Sequence, residues 1–163
     1  MKFGITGHQR IPLIAIEYLR QALVDFLRSE CSELIGVSSL AAGADQLFAS
    51  VLLELGGKLV VIIPCEKYEE TFKTIEDITL YESLLAHSST ITRLAFAEPS
   101  AEAFLAAGRG VVNASDLLIA MWDGMPSRGL GGTADIVEYA RVLRKEVRVM
   151  WPPLVNRDVS PLE

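Results

Sequence analysis

Three glycines and a hydroxyl residue, Gly129, Gly131, Gly132 and Thr133, separate an apolar run from an amphipathic stretch in the segment SDLLIAMWDGMPSRGLGGTADIVEYA, residues 115–140. A loop of this kind leaves backbone N–H groups bare and lets a ligand come close to the main chain. The first turn of a following helix adds donors that the helix itself cannot satisfy, at the positive end of its dipole. The chemistry that suits such a loop is the binding of phosphate or ribose, with Thr133 as the N-cap candidate of the helix. A tight strand-to-helix turn would require the same glycines for geometry alone, so the loop acquires meaning only from its neighbours.

Two further loops resemble it. GITGHQR at the start of the chain places Thr6, Gly7, His8 and Arg10 after an apolar run; the guanidinium suits bidentate pairing with phosphate, and Gly7 admits a ligand to the backbone. SSLAAGAD offers Ser38, Ser39 and Gly43 as contacts to a sugar or phosphate. Asp45 reads either as a ligand contact or as an acid placed where a helix dipole favours one. Glu66 and Tyr68 either reach a base or sugar or belong to a solvated helix start. Asn113 falls within a turn of the same end of the chain's strands, and Asp116 either joins it or caps a strand. Trp122 and Asp123 bring an aromatic plane and a carboxylate to the strand end that carries the glycine loop.

The elements that must position these loops follow from hydrophobic periodicity. Strand-like runs at 2–6, 33–38, 59–64, 91–95, 117–122 and 147–151 alternate with helical patterns at 14–29, 43–55, 68–87, 101–114 and 134–145. In the last helix Ile136, Val137, Ala140 and Leu143 or Arg144 form the inner face. The alternation predicts an α/β, doubly wound, mainly parallel sheet of about six strands with helices on both faces. Its binding crevice should lie beyond the carboxyl ends of the strands, where all three loops fall. Residues 1–152 are expected to form one domain and 153–163 an extended C-terminal tail.

Composition narrows the classes of function. The chain has 163 residues, half of them hydrophobic, a formal net charge of -6 and a pI near 5.0. The acidic balance and sparse aromatics argue against a protein that tracks nucleic acid through its phosphates, so nucleic acid is an unlikely partner on this reading. Met1 and Lys2 lead directly into a strand-like run, which predicts no signal or transit peptide and a cytoplasmic protein, and no run is long enough to span a membrane. Cys31 and Cys65 show no metal or redox spacing, and His8 and His87 are too few for a zinc site; no metal is expected.

Taken together, GITGHQR, SSLAAGADQLFA and SDLLIAMWDG followed by GGTADIVEYA resemble the SLOG group of Rossmann-like nucleotide-binding proteins. That group is related to the Lonely Guy phosphoribohydrolases and to the molybdenum-cofactor carrier proteins. The resemblance covers nearly the whole chain in order. It implies a Rossmann-like domain, a nucleotide or nucleotide-derived ligand across the strand ends with the glycine loop on phosphate, and a homo-oligomer; no cofactor beyond that ligand is implied. The Lonely Guy enzymes carry a PGGxGTxxE loop and an arginine on the preceding helix. Here Trp122, Asp123 and Gly124 stand where the proline-glycine pattern would begin, Asp135 and Glu138 supply the acids, and Arg109 is displaced from the family position. A weaker likeness is to nucleoside deoxyribosyltransferases, but Ile136 occupies their nucleophile position, which removes that chemistry.

Two functions emerge. The first is a module that binds or senses a nucleotide-like molecule. The alternative is a nucleoside-monophosphate phosphoribohydrolase, an N-glycosidase in which Asp135 or Glu138 stabilises positive charge on the ribosyl carbon while Arg10 or Arg109 holds phosphate.

Overall fold

A computed structural model describes residues 1–30 and 33–158. Its elements run β1 (Lys2–Gly7), α1 (Leu13–Ser29), β2 (Ile35–Ser38), α2 (Ala44–Glu54), β3 (Lys58–Ile63), a 3-10 turn (Tyr68–Thr71), α3 (Ile75–Ala86), β4 (Thr90–Arg93), α4 (Ala101–Ala114), β5 (Leu117–Met121), α5 (Thr133–Val142) and β6 (Glu146–Met150). The strands form one sheet in the order β4-β3-β2-β1-β5-β6, every pairing parallel. This is the doubly wound, Rossmann-like α/β fold that the alternation of strand and helix patterns predicts.

The inner strands of the sheet are covered on both faces and are mostly apolar rather than alternating, whereas the edge strands β4 and β6 are largely exposed. All five residues of β5 are buried, yet they serve different layers. Leu117, Ile119 and Met121 join the core under α1, α2 and α3, whereas Leu118 packs with Val112, Ile136 and Ala140 beneath α4 and α5. Helix α1 docks by Ala15, Leu19, Leu23 and Leu27, a four-residue spacing that keeps one stripe on the sheet. Truncating any of these leucines to alanine would cost about 2–5 kcal/mol.

Two helices differ from the sequence reading. The single helix expected over 68–87 is divided: Phe72 turns extended (ψ 134°), and Thr74 starts α3 afresh, its hydroxyl accepting from the Asp77 amide at 3.1 Å. In α5 the N-cap is Gly132, not Thr133, which is the first helical residue. That helix stops at Val142, before the expected Lys145; Leu143 is 42% exposed and Arg144 enters the left-handed region (φ 57°). Lys145 then extends its ammonium to the carbonyls of Val112 and Ser115, at 2.6 and 2.5 Å, capping the end of α4. Cys65 is buried, and burial pushes its thiol up; Cys31 lies outside the described residues. No described helix is long and apolar enough to cross a membrane.

Candidate functional site

Strand order reverses between β1 and β5, whose following chains leave to opposite sides. An open α/β sheet has its crevice at such a point. Here a cavity of about 1290 Å³ opens beyond the strand ends. Thr6, Gly7, His8, Arg10, Ser39, Asp45, Gly131, Gly132 and Thr133, named above from the sequence, all line it.

The loop after β1 and the start of α2 are fitted backbone to backbone. The Ala44 amide donates to the His8 carbonyl at 3.1 Å, and Gly43 sits at φ 83° with no room for a side chain: a Cβ there would fall 2.4–2.6 Å from backbone atoms of His8 and Gln9. Gly43 therefore shapes the wall rather than lining the cavity. Ser38 likewise lies beneath the surface, fully buried, donating to Asp45 and accepting from the Leu40 amide at 2.9 Å. The Asp45 carboxylate also accepts from the Ser39 amide at 3.1 Å, which holds the 38–45 loop against the helix that follows. Burial pushes the Asp45 carboxyl up to about 6, and the hydrogen bonds from Ser38 and Ser39 offset only part of that rise. Leu40, fully buried at φ 57°, is held in the left-handed region by the same loop.

The glycine loop is braced from within. The Asp135 carboxylate accepts from the Gly131 amide at 2.9 Å, and the Ser127 hydroxyl accepts from the Asp135 amide at 3.2 Å. Gly131 stands at φ 82°, where a Cβ would meet the Leu105 amide nitrogen at 2.9 Å. With Gly131 and Gly132 amides engaged, the donors that α5 itself leaves over are those of Thr133 and Ala134, in its first turn. Asp135 thus belongs to the scaffold of the loop.

Other residues singled out from the sequence stand away from the cavity. The Arg109 guanidinium lies 5.1 Å over the Tyr139 ring, Asn113 accepts from the Tyr139 hydroxyl at 3.0 Å, and Glu138 is exposed to solvent. None of these, and neither Asp135 nor Asp123, lines the crevice. The carboxylates that do are Asp45, Asp77 and Asp158.

Asp123 instead centres a buried charge cluster at the ends of β1 and β5. Its side chain is 4% exposed; Oδ1 lies 3.0 Å from His8 Nε2, and the Asp123 amide lies 3.2 Å from the same nitrogen. That nitrogen faces an acceptor and a donor of one residue and is engaged in either protonation state. Burial lowers the His8 pKa, with the Asp123 charge opposing it. Asp123 Oδ2, which receives no hydrogen bond, lies 3.3 Å from Arg157 Nε. Arg157 comes from the segment after β6, where Trp151 packs edge-on against His8 and donates to the Val155 carbonyl at 2.7 Å. Arg157 also donates to the Pro126 carbonyl at 2.8 Å, and Arg128 pairs with Asp158. Residues 151–158 therefore run back over the loop after β5, and Arg157 and Asp158 form part of the crevice wall.

The sequence reading did not bring forward Phe72, Lys73 and Thr74, which the break before α3 sets on the crevice, nor Ser127, Arg128 and Arg157. Thr74 followed by Asp77 is a helix-start pattern that marks the break; the return of the 151–158 segment has no local signature. Arg10 and Lys73 are crevice cations with no ion-pair partner among the described residues. Among those residues, too, no three His, Cys, Asp or Glu side chains converge as a metal site would require.

No protein-family profile matches the sequence, and no curated protein is significantly similar to it. Solved structures are. DNA processing protein A from Helicobacter pylori, described by its single-stranded DNA binding mode, superposes with a TM-score of 0.72 at 19% identity, over 94% of this chain and 66% of its own. DNA processing protein A (DprA) from Streptococcus pneumoniae gives 0.66 at 19% identity, over 96% and 52%. The protein TM1055 gives 0.56 at 17% identity, over 90% and 71%. The chain thus spans between half and two thirds of the DNA processing proteins. These likenesses overturn one expectation: net charge and few aromatics do not set nucleic acid aside, because the fold this chain shares is that of proteins which include a binder of single-stranded DNA. A whole-chain charge says little about one crevice whose wall carries Arg10, Lys73, Arg128 and Arg157. What the superpositions establish is the architecture: the chain has a Rossmann-like fold.

Proposed function

We propose that the crevice binds or senses a nucleotide-like ligand, its phosphate held by the first turn of α5 and by Arg10. The observation that carries this reading is the convergence of the loops after β1, β2 and β5 on one cavity at the point where strand order reverses. Unused amides at a helix start, an unpaired guanidinium and closely approachable glycines are what a phosphate requires. Calorimetric titration with nucleoside mono-, di- and triphosphates is expected to give a hit that Gly132→Val abolishes, since a Cβ there would come within 2.7 Å of the Ser127 hydroxyl and displace the loop. A folded protein that binds none of them refutes the reading.

A second reading has its own support in the DNA processing proteins: the crevice takes one nucleotide of a single strand. Short oligonucleotides in the same titration decide between the two, since binding that needs several nucleotides and weakens steeply with salt belongs to a strand. N-glycosidic cleavage draws on Asp135, Glu138 and Arg109, whose side chains are engaged elsewhere or turned to solvent. Free base released from nucleoside monophosphates, and lost in Asp135→Ala and Glu138→Ala, would favour cleavage over binding.

A further inference from the structure

The far end of the crevice, below β2 and β3, differs in character from the phosphate end. It is walled by the 3-10 turn, the break before α3 and the first turns of α4, and its lining includes Tyr68, Phe72 and Phe104. The Tyr68 ring meets Phe72 at 5.4 Å and Phe104 at 6.4 Å between centroids. Tyr68 is 3% exposed, and its hydroxyl has no hydrogen-bond partner among the described residues. Its neighbour Tyr81 shows the usual arrangement, donating to Glu69 at 2.9 Å. A buried phenol ordinarily finds a partner. The Tyr68 hydroxyl is not sealed in protein either, for the described side-chain atom that is both sealed and unsatisfied is Asp123 Oδ2. It opens to the cavity its residue lines. Burial, with the Asp45 charge adding to it, keeps the phenol protonated well beyond the ordinary range, so it is a standing donor.

We propose that this end is a nucleobase subsite, in which the Tyr68 hydroxyl donates to an acceptor on the heterocycle and Phe72 supplies an apolar face for the ring. The proposal deepens the nucleotide reading and rests on it for the placement of phosphate. Strands β5 and β3 stand three positions apart in the sheet, about 14 Å, which a phosphate, a pentose and a base together can bridge. Asp45 lies on the floor between the two ends, near enough for its charge to act on the Tyr68 phenol. A standing donor beside an aromatic face recognises a flat, hydrogen-bonding ligand and discriminates against a bare sugar phosphate.

The test is a calorimetric comparison of the four common nucleoside 5′-monophosphates, the four nucleosides and ribose 5-phosphate against the wild type, Tyr68→Phe and Phe72→Leu. At least one nucleotide is expected to bind about tenfold or more tightly than ribose 5-phosphate. Tyr68→Phe, which keeps the ring and its packing, is expected to weaken that nucleotide about tenfold and leave ribose 5-phosphate unchanged; Phe72→Leu should act in the same direction. Ribose 5-phosphate matching every nucleotide, or a folded Tyr68→Phe that binds nucleotide like the wild type, overturns the subsite while the phosphate reading stands. Nucleosides that bind as tightly as their nucleotides and weaken in Tyr68→Phe, with no binding of ribose 5-phosphate, uphold the subsite and defeat the phosphate reading. Silence from all nine compounds defeats the subsite, and silence from the di- and triphosphates as well defeats the phosphate reading.

Discussion

Replacing Asp45 by asparagine tests the account of the crevice floor. The carboxyl is driven up from 3.8 to about 6 by burial, against the pull of the Ser38 and Ser39 hydrogen bonds. A group whose folded-state pKa is raised binds more protons in the folded than in the unfolded state between the two values. Its contribution is therefore fully present below 3.8 and is lost as pH rises through 6. The shift corresponds to about 3 kcal/mol at neutral pH. Asparagine retains an oxygen that accepts from Ser38 and the Ser39 amide but has no charge to desolvate. Urea denaturation of both proteins from pH 4.5 to 7.5 should show the wild type losing about 2 kcal/mol relative to Asp45→Asn across that range. Other titrating groups are common to both proteins and cancel in the difference. A difference that stays constant with pH, or that moves the other way, would show that burial does not raise the Asp45 carboxyl in the folded protein.

Three further variants test the same geometry. Gly43→Ala combines a left-handed backbone with backbone overlap and should cost about 3 kcal/mol or more in chemical denaturation; a loss below 1 kcal/mol would mean that the β1 loop and α2 are not so tightly fitted. Arg157→Ala leaves the Asp123 carboxylate with only His8 and the Met125 amide, both on Oδ1, and should destabilise by about 2 kcal/mol. Because Arg157 opposes protonation of His8, the same variant should move the His8 titration upward by NMR; an unmoved His8 would detach the 151–158 segment from the cluster. His8 itself has a lowered pKa, so the stability it contributes is present above 6.5 and lost as pH falls through the folded value; His8→Gln should flatten that part of the acid loss.

The legible part of this molecule is the part written in local periodicity. Each strand-like run is a strand with ends shifted by two residues or fewer; for the inner strands this is because a buried parallel strand needs nothing beyond its own side chains to declare itself. The three crevice loops were equally visible, being strand ends with glycines and hydroxyls. The break at Phe72 was missed because apolar residues continue on both sides of it, and only the small pattern from Thr74 to Asp77 marks the restart. The roles of Asp135 and Asp123 lie beyond local reading for a different reason. A carboxylate four residues after a glycine has the same sequence signature whether it faces a ligand or braces the loop; the hydrogen bond to the Gly131 amide decides. Asp123 meets His8 across 115 positions of sequence, a distance at which spacing holds no information.

The sheet order also governs the history of each new chain. β1 is made first but occupies an inner position, flanked by β2 and by β5. Its Lys2 amide bonds to Asp116, 114 positions later. At ribosomal speeds the partner follows on the order of 10 s behind. Throughout that interval one apolar edge of the growing half-sheet lies open, the kind of edge that recruits other strands. The nascent protein is thus most vulnerable to aggregation just before residue 121 clears the ribosome, and truncations that end short of β5 should be far less soluble than the whole chain.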